Sequence, residues 1–123
     1  MTPAAARAAV LKQLKARGFK ARRGHLRLGV GDLWWYVDAR IAGVGSAAQV
    51  VAEVGCWTPD LPPEPDGGAV DCPLLLDVVV GEAVADTDAL VDRVSTIGDL
   101  ATLGQRLDDL PGALVDKALR DLL

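Results

Sequence analysis

Small and apolar residues at Ala4, Ala8, Leu11 and Leu14 recur at intervals of three and four, with Arg7, Lys12, Lys15 and Arg17 between them. That spacing predicts an amphipathic helix over 3–17. Thr2 suits its N-cap, Pro3 its first turn, and Gly18 the left-handed residue that ends it, so that Phe19 folds back onto the core. The period then changes from helical to alternating. His25 to Val30 reads as a strand, Gly31-Asp32 as a tight turn and Leu33 to Ile41 as its hairpin partner. Turn residues Gly43, Gly45 and Ser46 precede a third strand, Gln49 to Trp57, in which Val50, Ala52, Val54 and Cys56 share a face.

The segment Thr58 to Asp71 holds four prolines, Pro59, Pro62, Pro63 and Pro65, together with Gly67 and Gly68, and is expected to be an exposed loop. Cys72 to Val80 resumes as a fourth strand, whose run of Leu and Val predicts burial on both sides. Beyond Gly81 the pattern is helical again. Asp86 is placed to cap a helix over 87–94, Thr96 one reaching about Leu107, and Pro111 to open a last helix ending near Leu122. The predicted fold is α+β: an N-terminal helix, a four-stranded mostly antiparallel sheet and short C-terminal helices, in a single domain over 1–123. Its expected core takes in Leu11, Leu14, Phe19, Leu28, Trp35, Val37, Val54, Leu76, Val78, Leu114 and Leu119.

Composition narrows the chemistry more than it suggests any. The 123 residues include one histidine and two cysteines, and hydrophobic residues make up 50% of the chain, so it folds but has few parts for catalysis. Serine occurs only at Ser46 and Ser95, asparagine nowhere, and no Ser, His and Asp set has the spacing of a triad. The Gly43-Val44-Gly45-Ser46 run lacks the Lys and Ser/Thr pair of a phosphate loop and reads as a turn. Cys56 and Cys72 stand at facing strand ends. They are expected to lie close together as reduced thiols, and with distant His25 they make no zinc set. No cofactor or metal is expected. The chain has no apolar run of the roughly 20 residues that span a membrane and no signal-like start, so the expected location is the cytoplasm. Its Arg, Ala, Val and Asp usage is that of a GC-rich bacterial genome.

Charge is unevenly placed. Net charge is −4, yet residues 1–40 carry +7 and residues 41–123 carry −11. Either a basic and an acidic element match within the molecule, or one face serves a charged partner. Nucleic acid is the less expected partner, because the acidic remainder repels phosphate. The strand Leu33 to Ile41 is more informative. Leu33, Trp35, Val37, Ala39 and Ile41 share one face; Trp34, Tyr36, Asp38 and Arg40 share the other. With Arg27, Gln49, Glu53 and Trp57 on neighbouring strands, and His25 beside them, the second face combines aromatic bodies with mixed charge, a composition suited to binding a protein. A small-molecule ligand against the same aromatic wall, as in a nucleotide-binding module or a weak enzyme, is the alternative. Equally, a helix covers this face and its tryptophans belong to a core.

Several features occur in a recognisable order. A first helix ends Leu14-Lys15-Ala16-Arg17-Gly18-Phe19-Lys20, an aromatic strand begins Gly31-Asp32-Leu33-Trp34, and a strand ends Val54-Gly55-Cys56-Trp57 before a Pro-rich loop and Val70-Asp71-Cys72-Pro73-Leu74. Over residues 8–80 the chain resembles a family of small bacterial domains of unknown function, some of them encoded beside toxin and immunity genes. The resemblance implies a non-enzymatic protein-binding role, as an immunity-like or accessory factor, and supplies no catalytic residues.

Overall fold

The computed structural model describes residues 1–123. Helix α1 (Pro3–Ala16) leads into strands β1 (Lys20–Arg22), β2 (His25–Val30), β3 (Leu33–Ala42), β4 (Gln49–Trp57) and β5 (Leu74–Val80). Then come helix α2 (Ala83–Val94), helix α3 (Leu100–Gln105), strand β6 (Leu114–Val115) and helix α4 (Lys117–Arg120). The fold is α+β, with a sheet of six antiparallel strands rather than four, paired in chain order. No helix is long and apolar enough to cross a membrane.

The two extra strands lie at the edges, where periodicity gives no signal. All three residues of β1 are exposed, and β6 is only two residues long. The segment expected as a helix from Pro111 instead turns at Gly112, and Leu114 and Val115 pair with Leu75 and Leu74 on the free edge of β5. An open edge of apolar β5 would otherwise leave its backbone groups unpaired. Leu114, expected in the core, is therefore 72% exposed.

The start of α1 follows the sequence closely: the Thr2 hydroxyl accepts from the Ala5 amide at 3.1 Å. At its end Gly18 takes φ +96°, which lets the Phe19 amide reach back to the Leu14 carbonyl at 3.0 Å and the Gly18 amide to Lys15 at 3.1 Å. This Schellman closure buries Phe19 beside Leu14. The buried stripe of α1 runs through Ala6, Val10 and Leu14, not through Ala4 and Ala8, because the larger Val10 sets the helix rotation. α2 begins at Ala83, four residues before the expected start, and the Asp86 carboxylate accepts the Gly81 and Glu82 amides from within the first turn. α3 is capped by Asp99, whose carboxylate accepts from Thr102, rather than by Thr96.

The core lies on the sheet face carrying Leu26, Leu33, Trp35, Val37, Val50, Ala52, Val54, Cys56, Leu74 and Leu76, against α1, α2 and the C-terminal segments. Leu11, Leu28 and Val78 pack at its margin. Trp35 is fully buried, and its indole N–H donates to the Ile97 carbonyl at 3.0 Å, so its polar edge is satisfied inside the core. Strand β5 is not buried on both sides: on the opposite face Asp77 and Val79 are exposed.

The charge asymmetry is partly matched within the molecule. Arg17 at the end of α1 bonds Asp88 at 2.9 Å and Asp92 at 2.6 Å on α2, and Gln13 donates to Asp88. Arg22 and Arg27 share Glu64, and Arg23 meets Asp66.

Candidate functional site

The second face of the sheet, carrying Trp34, Tyr36, Asp38 and Arg40, is divided into two halves. Over the first half lies the Pro-rich segment 58–73, of which Thr58 to Asp71 is expected to be an exposed loop and Cys72 to open the strand that starts only at Leu74. The segment folds back as a strap instead, with Thr58, Pro65, Gly68, Ala69 and Cys72 buried. No regular helix covers the face; a single 3-10 turn, Gly68–Asp71, does so. Strand β4 makes room by carrying Gly55 beneath it. A Cβ there would lie 2.7 Å from the Ala69 carbonyl oxygen and 2.7 Å from the Cys72 sulfur.

Each end of the strap is fastened by a polar contact to a strand. The Trp57 indole N–H donates to the Leu61 carbonyl at 2.9 Å. Glu64 takes two bonds from Arg22, at 3.0 and 3.2 Å, and one from Arg27 at 2.7 Å; the Arg22 hydrogen bonds hold its carboxyl below the usual glutamate range. Asp38 accepts from the Ala69 amide at 3.0 Å, and its other oxygen lies 2.9 Å from His25 Nδ1. Under these bonds sit Tyr36, Trp57, Ala69 and Cys72, with Trp34 and Leu75 at the margin.

Five of the eight residues singled out for partner binding therefore hold or underlie the strap. Tyr36 and Trp57 are buried beneath it, Asp38 anchors it, and the Arg27 guanidinium stacks 3.8 Å from the centre of the half-buried Trp34 ring while donating to the Tyr36 hydroxyl at 3.2 Å. Burial raises the Tyr36 pKa above the usual phenol value, against the opposing Arg27 bond. The other three, Arg40, Gln49 and Glu53, lie on the open half. There Arg40 reaches Glu53 at 3.6 Å and Asp77 at 2.9 Å, flanked by Ala42, Val51 and Val79.

The cysteines are free and close, with the Cys72 sulfur packed over Gly55 next to Cys56, but their side chains lie on opposite faces of the sheet. Cys56 belongs to the core cluster and Cys72 to the strap cluster, so β4 separates the two side chains. Burial pushes the Cys72 thiol up to about 12, with Asp38 and Asp71 adding to the effect, and pushes Cys56 higher still. Both stay protonated at neutral pH, which removes the thiolate a cysteine nucleophile needs. His25 and Asp38 are spent on the strap, with both Asp38 oxygens committed. No group of three His, Cys, Asp or Glu side chains is arranged to hold a metal ion.

Compared with protein-family models, curated proteins and solved structures, the chain matches none. Function must be argued from its own surface. Sequence reasoning missed the strap residues Glu64, Asp66 and Ala69, and the open-face residues Asp77 and Val79. Glu64 and Asp66 did leave a signal: two acids in a proline-rich segment of a chain whose first 40 residues carry +7. Val79 left none, because a valine in an apolar run reads as core.

Proposed function

We propose that the chain is a non-enzymatic protein-binding domain, and that its partner docks on the open half of the outer sheet face. The observation that carries this reading is the break in cover. The strap stops short of Arg40, Gln49, Glu53, Asp77 and Val79; Val79 is 58% exposed there, and Val70, from the 3-10 turn, is 53% exposed. A rigid antiparallel surface with small apolar side chains around an Arg40–Glu53–Asp77 cluster suits a partner that presents small apolar groups beside a basic one. The cluster carries one more acid than base.

Nucleic acid fits less well, because Arg17, Arg22, Arg23 and Arg27 are all paired with acids of this chain. Neutralisation of a toxin, which the family resemblance implies, is one form the proposed role takes. A cytoplasmic setting accords with the two free thiols.

The test is capture from the native host followed by reconstitution with purified partner. Val79→Lys and Asp77→Lys should weaken the complex at least about tenfold by setting a positive charge against the partner's basic group. Val84→Lys, on α2, should leave it unchanged. A partner held equally by all three variants would refute the surface, and failure of the wild type to retain any partner above Val79→Lys would refute the role.

A further inference from the structure

The two edges of the sheet differ in what they present. Strand β1 ends one side with Lys20 and Arg22, both exposed, and Arg23 follows. Charges of one sign along an edge repel a second copy of the same edge. Strand β6 ends the other side with Leu114 and Val115, and Leu114 is 72% exposed. We propose that β6 is a self-association edge, to which a second copy of this chain adds its own β6, antiparallel, across a two-fold axis.

Backbone direction is the first argument. The Asp116 amide donates to the Pro73 carbonyl at 2.8 Å, and Leu114 lies opposite Leu75, so residues 114 and 116 turn their backbone groups towards β5. Residues along a strand alternate. Val115 therefore turns its amide and carbonyl away from β5, and the Ala113 carbonyl turns the same way. A two-fold axis at Leu114 sets Ala113 opposite the second copy's Val115. Each Val115 amide then donates to the Ala113 carbonyl of the other copy, which closes groups that the ladder with β5 leaves unpaired.

Side chains are the second. The same register sets Leu114 against Leu114 of the second copy, so each covers apolar surface that the single chain leaves in water. Charge is the third. A hollow of about 540 Å³ opens at this strand, with Leu107, Leu110, Ala113 and Val115 in its wall beside Asp108 and Arg120. Neither Asp108 nor Arg120 has an ion-pair partner, whereas the adjacent Asp109 and Asp121 are taken by Arg106 and Lys117. One free acid and one free base on the same patch form a self-complementary set, which a two-fold axis matches base to acid; the all-basic β1 edge has no such match.

Sedimentation velocity of the full chain across a concentration series tests this, with a reversible monomer–dimer equilibrium as the expected result. Leu114→Lys and Leu114→Glu, both at an exposed side chain, should each raise the dissociation constant at least about tenfold, because the axis then sets like charges opposite each other. An equimolar mixture of the two variants should associate more tightly than either alone, since the pair across the axis is then opposite in charge. A second readout needs no variant: the Val115 amide resonance of the wild type should shift on dilution, while that of Ala21 on the β1 edge stays fixed. A wild type that remains monomeric throughout, whether or not it captures a foreign strand, overturns the proposal. So does a dimer indifferent to Leu114, or a mixture no tighter than either variant. Val79→Lys should leave the equilibrium unchanged, which separates this edge from the open-face surface proposed above; loss of the dimer in that variant would place self-association on the open face and overturn the assignment to β6.

Discussion

Trp35 and Tyr36 are adjacent in sequence and both fully buried, yet they are buried by different means. Trp35 faces α1, α2 and the C-terminal segments in a cluster of 22 buried residues, where closure comes from apolar packing. Tyr36 faces a strap in a cluster of four, where closure depends on the polar bonds made by Asp38, Glu64 and Trp57. The contrast teaches that one sheet can carry a deep apolar contact on one side and a shallow cover fastened by hydrogen bonds on the other. The second kind can be released piecemeal, because each fastening is a local bond.

The comparison breaks most sharply at Trp35. Trp35→Ala should cost about 3 to 5 kcal/mol, a large part of the roughly 5 to 15 that hold a domain together, and should leave the Ile97 carbonyl without its donor. Urea denaturation that matches the wild type would show that this face is not the core. On the strap side the largest effect is expected at Gly55. Alanine there meets a backbone oxygen that cannot swing away, so the strap must shift, at a cost of about 1 to 3 kcal/mol. Near-ultraviolet circular dichroism from Tyr36 and Trp57 should change while the far-ultraviolet spectrum stays the same. A wild-type spectrum and melting temperature would show that the strap does not press on β4.

Asp38→Ala removes the acceptor of the buried Ala69 amide and should cost about 1 to 2 kcal/mol, since water can partly replace the lost bond. Equilibrium unfolding reads this directly, and an unchanged midpoint would remove Asp38 from the account. The smallest effect belongs to the half-buried Glu64 clasp. Its folded pKa lies below its ordinary value, so the clasp contributes fully above the ordinary glutamate range and is lost as pH falls through the lowered value. Limited proteolysis of the strap should accelerate in that acid window in the wild type. Glu64→Gln should already be faster at neutral pH and respond less to acid.

This difference between the faces also explains which parts of the fold were legible in the sequence. Trp35, Val37 and Val54 announce an inward face by alternation, and Thr2, Pro3 and Gly18 mark both ends of α1, because those signals rest on local backbone geometry. The strap announces only that it is not a strand. Its docking is decided by Glu64 meeting Arg22 and Arg27, and Asp38 meeting Ala69, pairs separated by more than 30 residues that carry no period. The candidate face was legible as a face through Trp34, Tyr36, Asp38 and Arg40. Its division into a covered and an open half was not, since this depends on where the strap ends. Edge strands β1 and β6 escaped for a related reason: strands of two or three residues form because an edge needs pairing, which is a tertiary demand.

Native-state hydrogen exchange compares the two closures most directly. The amides of Gly67, Ala69 and Cys72, bonded to Asp71, Asp38 and Ala69, report the strap; those of Val37 and Val54 report the core strands. If the strap is fastened by separate polar bonds, its amides exchange through a partial opening of lower free energy than global unfolding. Asp38→Ala should then speed the strap amides further than the core amides. Strap amides that exchange only with global unfolding, in step with Val37 and Val54 in both proteins, would show that the two faces form one cooperative unit and would contradict the account.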